Sequence, residues 1–388
     1  MSYLREMFVL LSSARPSLVK QARSLARRML SELQTHGARL KQLRRRPAVV
    51  IFPGGARRSS SSYLRAWILG DELERLGWRA VVVPDVLSLA QRKRILRLER
   101  PDVILLQQTR HPLNRPSLYA PYPCVIDVDD GDHMDPRHSS RIAQWASEAA
   151  AVVGGSRFVA NWLGQHCKGP ARVIWTCSPR SSRAPKTAPV DREPIVAWAH
   201  DTPLGYQHEA DLMQQVFIGV ARRTRAIFWL FGTMEAEARD WFAPIRAAGG
   251  TCVAVERVPY EQYLDKVAEA AVGLQPVCIE SEFCRGKSFG KVLAYLTGQV
   301  AVVASNNVDH PLFFRNGENG YVVENAADEW VDAIVKLLDD REHREQVALA
   351  GQRDFDRRFA YDVFGRRMIE VFKLAIAANP HTTATQKL

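Results

Sequence analysis

The sequence predicts an α/β protein built from two Rossmann-like, doubly wound domains. Three observations carry that prediction. Twelve short apolar runs recur along the chain, with helical stretches between most of them. Each run is apolar at successive positions, as in strands covered on both faces. A stretch rich in Pro and Ser, 178–189, lacks periodicity and divides the runs into two sets of six.

Residues 1–46 precede the first run and read as a basic helical arm. Leu18, Ala22, Leu25, Met29 and Leu33 recur at steps of three or four, and Lys20, Arg23, Arg27 and Arg28 fill much of the remaining circumference. The arm holds eleven Lys and Arg against Glu6 and Glu32, so it carries +9 of the net charge of +11. A basic amphipathic helix suits an anionic membrane surface. A helix packed on its own domain and a cleaved transit segment are the alternatives. The nearly neutral body argues against a broad nucleic-acid groove, so nucleic acid is not the expected partner.

The first domain, 47–190, takes its strands from Ala48–Phe52, Arg79–Pro84, Asp102–Gln107, Cys124–Val128, Ala151–Gly154 and Ala171–Thr176, with helices such as Ser62–Leu76 and Ser139–Ala149. The second, 191–378, takes Ile195–Ala199, Ala226–Phe231, Cys252–Val255, Val272–Pro276, Val300–Ala304 and Gly320–Val323. Its helices are Glu209–Arg222, Glu235–Ala247, Tyr260–Ala270 and Lys287–Leu296, followed by Ala326–Leu338, Arg341–Arg358 and Tyr361–Ala378. Residues 379–388 form a tail with little to order it. Two such domains imply a ligand cleft between their strand C-termini.

Composition limits the alternatives. The 388 residues are 46% hydrophobic and 24% charged, which excludes a disordered, collagenous or disulfide-built chain. No run approaches 18 apolar residues, so a polytopic membrane protein is excluded. The six cysteines show no Cys-x-x-Cys spacing, which suits reduced thiols in a cytoplasmic protein and offers no zinc site. No secretory signal is expected at the N-terminus.

The segment Glu282–Leu296 is the richest in chemistry. Its predicted helix places Lys287, Ser288 and Lys291 in the first turns, with the two lysines four apart on one face. Free backbone N–H groups, a hydroxyl and two ammonium groups suit a phosphate or diphosphate. Arg285 adds a planar, multi-donor contact. A solvated basic helix start is the plainer alternative. The segment is not a P-loop, because Ser281 stands where the first glycine is required.

A second cluster, Asp127, Asp129, Asp130, Asp132, His133 and Asp135, follows a predicted buried strand. Carboxylates at a strand C-terminus accept protons or hold cations, and His133 suits a base. The cluster is no EF-hand, since Asp132 and His138 occupy the positions of its Gly and Glu. A capping turn explains the same residues without function. His200 and Asp201 follow the first strand of the second domain and should face the cleft, with turn chemistry as the alternative. Gly232 ends the next strand, where it lets a ligand approach the backbone or only makes the turn, and Val258-Pro259-Tyr260 follows the third, beside a ligand or as a plain loop.

From Lys287 onward the motifs resemble a known group. Lys287-Ser288-x-x-Lys291, Val302-Val303-Ala304-Ser305 and Asn319-Gly320-Tyr321-Val322-Val323 occur in the order and spacing of the donor half of GT-B glycosyltransferases. They are most similar to the family-four enzymes. In the first domain Gly54-Gly55, Val125–Asp130 and Val153–Ser156 have looser counterparts. The resemblance implies sugar transfer from a nucleotide sugar bound by the second domain to a glycan or lipid-linked acceptor on the first. It implies donor contacts from Arg285, Lys287, Ser288 and Lys291. Their place after strand ends adds His200, Asp201 and Gly232 to the expected donor side, although His200 and Asp201 stand where the family often has Arg or Lys. Acceptor-side contacts fall to Gly54, Gly55, Asp127 and Asp129, and catalysis to His133, Asp130 and Glu282. It implies retention of anomeric configuration, with no metal or other cofactor. Two family glutamates are missing: their positions are Gly286 and Ala294, and Glu280 or Glu282 is the expected substitute. Gln299 and Ala301 replace the usual Gly and Pro. The expected setting is the cytoplasm, at the inner face of the plasma membrane. A catalytically inactive binding or scaffold protein of the same fold is the alternative.

Overall fold

The computed structural model describes residues 16–37, 46–180 and 187–378. The expected tail and part of the arm and of the interdomain stretch lie outside the described residues.

The first sheet contains β1 (Ala48–Phe52), β2 (Arg79–Val82), β3 (Val103–Gln107), β4 (Cys124–Val128), β5 (Ala151–Gly154) and β6 (Ala171–Val173), in the order β2-β1-β3-β4-β5-β6. The second contains β7 (Ile195–Ala199), β8 (Ile227–Phe231), β9 (Thr251–Val255), β10 (Val272–Gln275), β11 (Ala301–Ser305) and β12 (Tyr321–Val323), ordered β12-β11-β10-β7-β8-β9. Every described pairing is parallel. The central strands are buried along their whole length, apart from one end residue each in β8 and β10, whereas the edge strands β2, β6 and β9 are partly exposed. That difference is why the central runs are continuously apolar and the edges carry Arg79, Arg172 and Thr251.

Each sheet reverses its winding once, between β1 and β3 in the first and between β7 and β10 in the second. Loops leaving such neighbours diverge and open a crevice at the strand C-termini. The Lys287 loop leaves β10 and His200 leaves β7, so the second crevice collects both.

The helix expected over Lys287–Leu296 is displaced. Residues Glu282–Gly286 form a 3₁₀ turn, Lys287 is extended, and the helix covers only Val292–Thr297. The Lys291 N–H donates to Gln275 Oε1 at 3.1 Å, and Gly290 takes φ +30°. Tertiary hydrogen bonding thus replaces the first turns of the expected helix. The Ser62–Leu76 helix begins earlier, at Ser60, and contains a π turn over Tyr63–Trp67. Gln299 adopts φ +55°, so the left-handed turn persists without the glycine usual there.

The last helix, Tyr361–Ala377, belongs to the second domain by its place in the sequence, yet it packs on the first. Phe364, Met368, Val371, Phe372 and Ala375 join Val49, Ile51, Leu69 and Trp78 in one buried cluster. Its apolar face packs beside Leu69 and Leu73 of the Ile68–Arg75 helix and extends the cover of that sheet face over Leu105, Val125 and Val153. Phe372 is fully buried, and truncation to Ala would cost about 3–5 kcal/mol.

In the arm, Pro16–Gly37 is helical as expected. Leu25, Met29 and Leu30 are exposed, and Glu32 meets Gln91 and Arg94 of the first domain. No helix among the described residues is long and apolar enough to cross a membrane.

Candidate active site between the two domains

The cleft is walled by the strand C-termini of both sheets. Near its middle is a cavity of about 400 Å³, lined by Ser61, Arg110, Asp129 and Asp130 of the first domain and by Lys287, Ser288 and Lys291 of the second. It adjoins a cavity of about 720 Å³, lined by Arg57, Arg58, Tyr63, Gly232, Arg257 and Tyr260 among others. His200 and Asp201 border both.

The Lys287 loop is fastened from below. The Val277 N–H donates to Ser305 Oγ, and the Cys278 N–H to the buried carboxylate of Glu209. Lys287 Nζ then stands 3.3 Å from Asp130 Oδ1. Burial works against its charge, but Asp130 more than compensates and lifts the ammonium to about 12. Lys291 Nζ is 3.7 Å from Asp201. Ser288 Oγ is buried without a hydrogen-bond partner among the described residues, which leaves its hydroxyl for a ligand oxygen. His200 Nδ1 accepts from the Thr202 N–H, and its ring lies 4.2 Å from that of Tyr206. Burial, then Lys291 and Lys287, depress its pKa to about 4, so a neutral imidazole faces the cations.

Opposite stand two adjacent carboxylates in different surroundings. Asp130 meets Lys287 and Arg110, whose attraction outweighs burial and lowers its pKa. Asp129 accepts from Ser61 Oγ at 2.5 Å and Gln108 Nε2 at 2.6 Å. Burial and the charge of Asp130 raise its pKa. Arg110 reaches Asp132 as well, tying the loop after β3 to the loop after β4.

The arrangement combines cations and a free hydroxyl on one wall with carboxylates on the other. It can neutralise a phosphate group and receive a proton a short distance away.

Residues 214–370 match the family model described as glycosyl transferase-like. The structure is similar to that of HepE from Anabaena in complex with UDP and glucose, at 13% identity and TM-score 0.59, covering 84% of this chain and 99% of that one. It is similar to sucrose-phosphate synthase from Thermosynechococcus elongatus, at 13% identity and TM-score 0.64, covering 86% and 100%. AviGT4, a glycosyltransferase involved in avilamycin A biosynthesis, matches at 16% identity and TM-score 0.57, covering 85% and 98%. The chain has the GT-B fold of two Rossmann-like domains, and its residues 214–370 are similar to glycosyl transferase-like sequences. No curated protein sequence matches it.

Within this GT-B cleft the expected site residues divide into two sets. Lys287, Ser288, Lys291, His200, Asp201, Asp129 and Asp130 line the central cavity, and Gly232 the adjoining one. A Cβ on Gly232, at φ +92°, would meet the His200 carbonyl at 1.8 Å, so glycine is required where β7 and β8 end.

The other expected residues stand elsewhere. Arg285 is exposed and donates to the Ile279 carbonyl rather than facing the cleft. Glu280 and Glu282 are exposed and line neither cavity. His133 is buried 4.5 Å from the Trp162 ring and 5.4 Å from that of Phe158, and neither ring nitrogen has a hydrogen-bond partner among the described residues. Asp127 is fully buried in an ion pair with Arg65. Gly54 and Gly55 line neither cavity, and their N–H groups donate to Gln107 Oε1 and Ser62 Oγ. The common reason is strand phasing and turn geometry, which aim these groups into the domains or outward to solvent.

Ser61, Gln108, Arg110, Tyr63 and Tyr206 escaped the sequence reading. A signal existed: Gln107-Gln108-Thr109-Arg110 is a polar run at the end of a buried strand. No group of three or more His, Cys, Asp or Glu side chains among the described residues is arranged to hold a metal ion.

Proposed function

We propose that this protein transfers a glycosyl group from a nucleoside-diphosphate sugar to an acceptor hydroxyl. The observation that carries the reading is the central cavity, where Lys287, Ser288 and Lys291 face Asp129 and Asp130. Lys287, Lys291 and the Ser288 hydroxyl would bind the diphosphate and stabilise the charge that grows on it as the glycosidic bond breaks. Neutralisation falls to these side chains, and the scheme calls on no metal or other cofactor. The adjoining cavity, with Gly232, Arg257 and Tyr260, would take the nucleoside. The UDP and UDP-glucose complexes of HepE support a UDP-sugar as the first donor to assay.

The acceptor would be a glycan or a lipid-linked sugar reaching the first domain's wall. Exposed Leu25, Met29 and Leu30 beside Arg27 and Arg28 support a role for the arm in holding the protein on an anionic membrane, at its cytoplasmic face. Sedimentation with anionic but not neutral vesicles, lost on deleting residues 1–46, is the expected result. Equal sedimentation with both vesicle types would remove the arm from the scheme.

Calorimetry with UDP and GDP, followed by transfer assays with their sugars, tests the central reading. Lys287→Ala and Lys291→Ala should each weaken nucleoside-diphosphate binding about 10- to 100-fold, the value of a charge-assisted contact. Unchanged affinity in both variants would overturn it. Gly286 and Ala294 in place of the family glutamates favour a second reading, a binding protein without turnover. Nucleotide binding without transfer to any of a broad acceptor panel would select it.

A further inference from the structure

The carboxylate that the family resemblance leads one to expect beside the donor sugar has no room to stand. A Cβ on Gly286 would meet Gly131 N and Cα at 2.5 Å, and one on Gly131 would meet the Phe283 carbonyl oxygen at 2.5 Å. The loops of the two domains touch backbone to backbone at this point. Ala294 is 1% exposed within the core of the second domain. The second domain therefore places no carboxylate at either position.

Four carboxylates do line the cavity that holds Lys287, Ser288 and Lys291: Asp129, Asp130, Asp201 and Glu209. Three are committed. Glu209 accepts from the Cys278 N–H and the Cys284 thiol. Asp201 pairs with Lys291 and leans into solvent. Asp130 pairs with Lys287 and Arg110. Asp129 is held by neutral groups, Gln108 on Oδ1 and Ser61 on Oδ2. Ser61 Oγ itself accepts from Gln107 Nε2 and Gln108 Nε2, each at 2.9 Å, so its proton is directed to Asp129. The carboxylate is thereby fixed in orientation, and each oxygen keeps a lone pair.

Resting on the glycosyl-transfer reading, we propose that Asp129 is the catalytic base and that the reaction inverts the anomeric centre. The acceptor oxygen forms the new bond to the anomeric carbon while its proton passes to an Asp129 oxygen. The bond from that carbon to the diphosphate oxygen breaks, and its electron pair leaves on the diphosphate beside Lys287, Lys291 and Ser288. A base on the protein lets the acceptor approach from the face opposite the leaving group. Were the departing diphosphate to take the proton instead, attack would come from its own face and configuration would be retained.

The surroundings separate the two neighbouring carboxylates in the way an acid–base pair requires. Asp130 stays ionised against its cations, whereas Asp129 is pushed up by burial and then by Asp130. The charged groups acting on Asp129 are Asp130, Arg65, Arg110 and Asp127, and Arg65 opposes the rise.

The test uses the full chain and a UDP-sugar that the wild type turns over. Asp129→Asn should keep UDP affinity within about 3-fold and lose transfer rate by about 10²- to 10⁴-fold, the contribution of a positioned base. The wild-type kcat/KM should rise with pH through a limb above the ordinary carboxylate range, and the variant should lack that limb. Proton NMR of the wild-type product should show the inverted anomer, a readout that needs no variant to fold. A retained anomer, or an unchanged rate in Asp129→Asn, would overturn the assignment while leaving glycosyl transfer intact. A wild type that binds UDP but transfers from no donor would sink the glycosyl-transfer reading, and this assignment with it.

Discussion

Lys287 of the second domain and Asp130 of the first form an ion pair across the cleft, Nζ to Oδ1, at 3.3 Å. The cation offered to a diphosphate is thus already engaged by a carboxylate from the opposite wall. A ligand phosphate must compete with it. Asp130→Asn should tighten UDP binding about 5-fold, the equivalent of about 1 kcal/mol for a partly exposed pair. Removing that charge also lowers the pKa of Asp129, so the acid limb of kcat/KM should move to lower pH. Calorimetry and a pH–rate profile check the two effects separately.

The contact between Gly286 and Gly131 sets a second expectation. A methyl group at 286 has 2.5 Å to the nearest backbone atoms of the other domain, which cannot yield as a side-chain tip would. Gly286→Ala should cost about 1–3 kcal/mol of stability, as overpacking does. Gly286→Glu, which restores the residue usual in similar enzymes, should melt lower still and lose transfer. A Gly286→Glu protein that melts like the wild type would show that the two loops separate freely.

The fold was legible because its signal is local: continuous apolar runs mark central strands wherever they fall in the chain. The site was legible in part, because residues ending β4, β7 and β10 must reach the cleft by topology. What could not be read was the direction of each side chain in a turn. Lys287 and Arg285 are two residues apart in one loop, yet one enters the cleft and the other faces solvent. Gln108, at φ +59°, turns back over Ser61 and Asp129, a backbone choice no spacing rule announces. The packing of the last helix on the first domain was equally silent, since its amphipathic pattern fits either sheet.

Asp309 joins the domains through three hydrogen bonds. Its carboxylate accepts from Arg157 N at 2.9 Å, Arg157 Nε at 2.9 Å and Trp175 Nε1 at 2.8 Å. It is buried, so its removal leaves the indole N–H and a backbone N–H unpaired. Asp309→Ala should destabilise the protein by about 1–3 kcal/mol in urea denaturation. Asp309→Asn keeps acceptor capacity on one oxygen and should lose less. Equal losses in the two variants would mean that charge, rather than hydrogen bonding, makes the contact.

His133 gives the protein an acid sensitivity unrelated to catalysis. Burial, then His166, holds its pKa at about 4 against an ordinary 6.5. Between those two values the unfolded chain binds a proton that the folded protein does not. Stability from this group is therefore complete above about pH 6.5 and is lost progressively as pH falls toward 4. His200, also near 4, adds a loss of the same sign. His133→Phe keeps an aromatic ring beside Phe158 and Trp162 and removes two ring nitrogens that lack partners. The variant should melt at or above the wild type at about pH 7.5 and lose less on going to about pH 5. The remaining slope belongs to His200 and the other titrating groups. Parallel melting curves for the two proteins across that range would place a proton on His133 in the folded state and overturn its assignment as a neutral core residue.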